Sequence, residues 1–148
     1  MDNCFNACGS ADDITKSDLD RFTDKIENVL NDEKGRKLFR NFMCTSKMKA
    51  GKKALLVWEH TERLLSYKEN DESGTRTHRK YLDDVLLLLD KAESLEEIDF
   101  VTMERLTTAV DSDNTEGIVE GLQQLKVETT KALRREYTAF REHLIKYR

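Results

Sequence analysis

Residues 49–65 read "KAGKKALLVWEHTERLL". The apolar run Ala54–Trp58 opens a long helix, with the chain's only tryptophan inside it. Its buried stripe is expected to hold Leu55, Trp58, Leu65 and Tyr67. Lys47, Lys49, Lys52 and Lys53 stand in front of the apolar run. Cations at a helix N-terminus oppose the helix dipole, each at a cost of a few tenths of a kcal/mol up to about 1. A chain that tolerates this cost raises the question of what the lysines face.

The 148 residues suit one domain with a real core. Apolar residues make up 38% and charged residues 36%, and proline is absent. Average usage would give about seven prolines in this length. Their absence, with few glycines and many Leu, Lys, Glu and Arg, predicts helices joined by short turns. The repeated Leu/Ile/Val/Phe clusters supply apolar surface that a disordered chain of this charge would lack.

Outward from the tryptophan helix, the same periodicity recurs. Residues 1–16 are polar and aperiodic and are expected to form a flexible leader, with the helical domain at 17–148. Ser17 is the expected N-cap of a helix carrying Leu19, Phe22, Ile26, Val29 and Leu30. Asp32 starts the next, with Leu38, Phe39, Phe42 and Met43 inward, and 44–51 form a basic loop. After the loop at 68–75 comes a helix with Tyr81, Leu82, Val85, Leu86, Leu88 and Leu89, nearly apolar all round and expected at the centre of the core. Three more follow, through Phe100–Val110, Ile118–Leu133 and Tyr137–Tyr147. The reading is all-α, seven helices and no convincing strand.

Charge and motifs narrow the function. A net charge of −4 carries no global basic footprint for nucleic acid. The run "VLLLL" at 85–89 is too short for a membrane span. "AGKKA" is not a phosphate-binding loop, and His60, His78 and His143 share no metal-ligand spacing. They are expected to be exposed helix histidines. Acidic pairs such as Asp83–Asp84 and Glu96–Glu97 have no glycine-rich or aromatic pocket around them. No enzyme, cofactor or metal is implied.

A set of short motifs points elsewhere: "VLNDEKGRKLFRNFM" at 29–43, "ALLVW" at 54–58, "HRKYL" at 78–82, "IDFVT" at 98–102 and "EYTAFREHLIKY" at 136–147. In this order and spacing the chain, over about residues 19–148, resembles the RGS domain. That family is a helical bundle that binds heterotrimeric G-protein α subunits and speeds their GTP hydrolysis. Leu30, Gly35, Phe39, Phe42, Trp58, Tyr81, Leu82, Tyr137, Phe140 and Tyr147 match its pattern. Each motif alone is only an apolar helix stripe, and their order carries the resemblance. It implies a bundle of about seven to nine helices.

The polar positions of the activating members are replaced. Their Glu-Asn pair before the tryptophan helix falls on Lys53 and Ala54, and a second Asn falls on Glu97. The family's C-terminal Asp and Arg fall on Arg135 and Ala139, so two replacements reverse charge. An RGS domain accelerates hydrolysis by holding the α subunit's switch segments through preorganised hydrogen bonds. Alanine cannot make such a bond. The expectation is therefore a non-catalytic interaction domain. The stretch 29–43 and the ending "LIKYR" resemble the axin type, whose partner is a peptide from a Wnt-pathway protein of the adenomatous polyposis coli kind. The alternative is a genuine regulator that binds Gα and modulates GTP hydrolysis.

Lys52, Lys53, Arg134 and Arg135 lie in two turns that the family fold brings near each other. They form either a solvated surface or a basic patch for an acidic peptide or an acidic lipid surface. Cys4, Cys8 and Cys44 make an odd number without CxxC spacing, which fits free thiols in a reducing cytosol. Cys4 and Cys8 are also candidates for acylation, as in some small RGS proteins, which would make a cytoplasmic protein peripheral to the plasma membrane.

Overall fold

The computed structural model describes residues 14–70 and 75–146. They form eight helices: α1 (Lys16–Asp24), α2 (Ile26–Leu30), α3 (Glu33–Thr45), α4 (Lys49–Asn70), α5 (Thr75–Ala92), α6 (Phe100–Asp111), α7 (Thr115–Ala132) and α8 (Arg134–Ile145). No strand occurs among the described residues. The all-α expectation of seven to nine helices holds. Cys4, Cys8, most of the expected leader and Tyr147 lie outside the described residues, as does the side chain of Tyr67.

The first helix begins earlier than expected and ends earlier too. Thr15, not Ser17, is its N-cap: the Asp18 N–H donates to Thr15 Oγ1 at 3.0 Å, and the Thr15 N–H donates to Asp18 Oδ2 at 3.1 Å. This reciprocal pair satisfies two otherwise orphaned donors. Burial of Asp18 opposes its ionisation, but hydrogen bonds from Lys34, the Thr15 backbone and Arg21 outweigh it. They hold the carboxyl well below the usual range. At Lys25 the backbone becomes extended, splitting the expected single helix into α1 and α2. The carbonyls that would have continued the ladder are taken by side chains. Asn28 Nδ2 donates to the Arg21 carbonyl at 2.9 Å, Tyr137 Oη to Phe22 at 2.7 Å, and Arg141 Nε to Thr23 at 2.6 Å.

The described residues divide into two compact units, one within 1–52 and 133–148 and the other within 53–132. In the first, α1, α2, α3 and the start of α4 pack with α8. Phe22, Ile26, Val29, Phe39, Met43 and Phe140 are buried there. Phe39 and Phe140 stack with ring centroids 5.0 Å apart, and Phe42 tilts onto Phe140 at 5.5 Å. Gly35 is needed for α3 to approach α2, because a Cβ there would sit 2.7 Å from the Val29 carbonyl oxygen. Between α3 and α4 the turn is tighter than the expected loop 44–51. Lys47 takes a left-handed φ of 58°, and the Met48 N–H donates to the Met43 carbonyl at 2.9 Å. That conformation closes the helix end as glycine usually does, at a cost of about 1–2 kcal/mol for a residue with a Cβ.

In the second unit four helices close a ring. α4 meets α7 where Trp58 Nε1 donates to Thr130 Oγ1 at 3.2 Å, and α4 meets α5 at His60. α5 packs on α6 and α6 on α7. The buried stripe of α4 is Ala54, Leu55, Val57, Trp58, Thr61 and Leu64, so Leu64 takes the place expected for Leu65. On α5, Tyr81, Val85, Leu88, Leu89 and Ala92 face inward, but Leu86 and Leu87 are exposed. The expectation that α5 is buried all round is corrected: one helical stripe suffices for its neighbours, and the surplus leucines meet solvent.

Candidate functional site

The lysine-bearing start of α4 belongs to the first unit. Lys52 is half-buried, with Nζ 3.9 Å from Cys44 Sγ. Cys44 is disulfide-bonded, against the expectation of free thiols. One residue earlier, Gly51 faces α8 so closely that a Cβ would lie 2.6 Å from Met43 Sδ and 2.7 Å from Glu136 Cγ. The starts of α4 and α8 therefore meet, and an acid fills the contact. Glu136 is buried, and its Oε1 has no hydrogen-bond partner among the described residues. Arg134 is exposed with Nη2 3.6 Å from Glu27 Oε2, Arg135 is exposed, and Ala139 is half-buried. This surface mixes cations with carboxylates and is not purely basic.

Lys53, Ala54 and Glu97 belong to the second unit. Lys53 and Glu97 are exposed. Ala54 is only 2% exposed, so it packs in the core and presents nothing to a partner. Its expected place among partner-contacting residues is corrected: the alanine lies on the inward stripe with Leu55 and Trp58.

The turn carrying Glu97 is anchored by a residue that sequence reading missed. Glu128, on α7, is buried and accepts three hydrogen bonds. The Asp99 N–H donates to its Oε1 at 2.8 Å; Thr102 Oγ1 and Gln124 Nε2 donate to Oε2 at 2.5 and 2.9 Å. Asp99 in turn caps α6 through the Val101 N–H at 3.0 Å. A buried carboxylate is tolerable only when its acceptor sites are filled in this way. From sequence alone Glu128 is an ordinary helix glutamate, since its partners lie 26 and 29 residues away.

His60 is buried, not exposed as expected. Its Nε2 lies 2.9 Å from Asp84 Oδ1 and its Nδ1 3.4 Å from Lys91 Nζ. An ammonium can only donate, so Nδ1 accepts and Nε2 carries the proton toward Asp84. Burial is the main influence and pushes the His60 pKa below its ordinary 6.5, against the pull of Asp84 and together with Lys91 and Arg63. The unfolded chain takes up a proton near pH 6.5 that the folded protein refuses. Stability from neutral His60 is thus complete above 6.5 and is lost as pH falls toward the lower folded value. His143, against Phe42, is lowered by burial and then by Lys146, and acts in the same direction. Thermal melts from about pH 7.5 down to about 5.5 should show a falling Tm, with a shallower fall in His60→Gln. Parallel slopes would remove His60 from this account.

His78 Nε2 meets Asp113 Oδ1 at 2.7 Å on a separate part of the second unit. Among the described residues no group of three or more His, Cys, Asp or Glu could hold a metal ion. No described helix is long and apolar enough to cross a membrane. Comparison with protein-family models, with curated proteins and with solved structures finds no match for this chain.

Proposed function

We propose that the chain is a non-catalytic protein-interaction domain of the RGS-homology kind, acting in signalling without GTPase activation. Within that kind, axin-like scaffold binding of a Wnt-pathway partner is the favoured version, on the resemblance of residues 29–43 and of the ending "LIKYR". The observation that carries the reading is Ala54. By the resemblance it stands where activating members present a clamping asparagine, and its side chain is only a methyl group. It offers no hydrogen bond to a switch glutamine, and by the same resemblance Lys53 and Arg135 reverse the charge of the family's acids. Support for the family likeness comes from the motif residues themselves. Phe39, Phe42 and Phe140, about a hundred residues apart in sequence, pack ring to ring, and Trp58 and Tyr81 are buried.

A pulldown from native lysate, run with and without aluminium fluoride, tests the reading. The expected result is the same non-Gα partner in both conditions. Enrichment of Gα only with fluoride would instead make the chain a regulator of G-protein signalling, because fluoride creates the transition-state form that activating domains hold.

A further inference from the structure

The leucines that α5 does not bury have a counterpart across a groove. Leu86 is 44% exposed, and Phe100, the first residue of α6, is 73% exposed. Between these helices lies an open groove of about 510 Å3 with buried Leu89, Leu95 and Ile98 along it. Single exposed apolar residues are ordinary on a protein surface, but an apolar groove with a phenylalanine at its mouth is not a scatter of this kind.

Its rim has one sign of charge. Asp90, Glu93 and Glu104 line the groove, and none of the three pairs with a cation among the described residues. From Asp90 to Glu104 the chain holds six carboxylates and one base, Lys91. That single ammonium is directed at His60 Nδ1, 3.4 Å away. We infer that the α5–α6 groove docks a basic amphipathic helix of a partner protein, its apolar residues against Leu86, Ile98 and Phe100 and its lysines or arginines against Asp90, Glu93 and Glu104.

Charge selects this occupant over the others. An anionic lipid surface is repelled by the rim. The chain's own first fifteen residues carry Asp2, Asp12 and Asp13 and no base, so they meet the groove with like charge. A helix with apolar anchors at i, i+3, i+4 and i+7 and basic residues between them satisfies both features together. The Glu128 bonds to Asp99 and Thr102 fix the start of α6, so Ile98 and Phe100 are held in place before a partner arrives. The inference rests on this groove alone, and failure of the RGS reading in the fluoride pulldown leaves it untouched.

Fluorescence anisotropy with a labelled, leucine- and lysine-containing amphipathic peptide provides the test, against a scrambled peptide of equal composition. The wild-type chain should bind the amphipathic peptide at least about tenfold more tightly than the scrambled one. Phe100→Ser and the pair Glu93→Lys/Glu104→Lys should each weaken binding by about tenfold or more, as loss of a central anchor does. Leu56→Ser, which alters an exposed leucine outside the groove, should leave it unchanged. All of these positions are exposed, and circular dichroism melts should overlay. Equal binding of the scrambled peptide, or full binding by the Phe100 variant, overturns the inference. So does self-association of the wild type in sedimentation that Phe100→Ser abolishes, which would make a second copy the occupant.

Discussion

Replacing Glu128 by alanine should lower the unfolding free energy by about 2–5 kcal/mol, because it strands two donors that its carboxylate now satisfies. Thr102 Oγ1 is buried with its residue, and the Asp99 N–H is partly buried. The 2.5 Å bond to Thr102 has the length of a charge-assisted hydroxyl bond. Removing the side chain also relieves the cost of burying a charge, which offsets part of the loss. Glu128→Gln separates the two contributions. It keeps an acceptor for the Asp99 N–H and lets the Thr102 hydroxyl rotate to accept, so its cost should be about 1 kcal/mol. Urea unfolding of the three proteins measures the differences. Equal stability of the alanine variant and the wild type would mean that the Glu128 bonds contribute nothing net.

Phe140→Ala is expected to cost about 3–5 kcal/mol, the range for emptying a buried aromatic site. Phe140 is 1% exposed and touches the rings of Phe39 and Phe42. Aromatic pairs at these separations contribute about 0.5–1.5 kcal/mol each beyond area burial. With three rings around one point, little can collapse into the void without moving α3 or α8. For a chain of this length the Tm should fall by about 10–20 °C. Differential scanning calorimetry on the variant checks it. Phe100→Ala, at a 73% exposed position, should by contrast leave Tm within about 2 °C.

Fold class was legible because period-3.6 apolar stripes and missing prolines are local properties, and Phe22, Phe39, Trp58 and Phe140 fall on the inward faces their spacing predicts. Boundaries were legible only where the cap is local. Asp32 was readable as an N-cap, and its side chain does accept from the Gly35 N–H at 3.0 Å. The break at Lys25 was not, because the groups that take the α1 carbonyls include Tyr137 and Arg141, more than a hundred residues away. The same limit hid Glu128 and His60: a buried polar side chain is disclosed by its partners, not by its neighbours in the chain. α5 shows the opposite failure. Its hydrophobicity was plain, but whether Leu86 faces a helix or solvent depends on how many neighbours surround α5.

Ala54, Glu97 and Ala139 were readable as candidates only through the resemblance, whereas Lys52, Lys53, Arg134 and Arg135 were also legible from their charge. Lys53 and Glu97 remain exposed and available, whereas Ala54 is withdrawn into the core. The surface around Lys52, Arg134 and Arg135 contains Glu27 and the buried Glu136, so its electrostatics are less one-sided than the sequence suggests. The first turn of α4, which carries Lys49 and Lys52, holds no acid.

Single-turnover GTP hydrolysis by purified Gα subunits, followed with and without a molar excess of the chain, decides between recognition and activation. The rate should change by less than about twofold, corresponding to about 0.4 kcal/mol or less removed from the barrier. A clear stimulation that scales with the amount of added chain would contradict it.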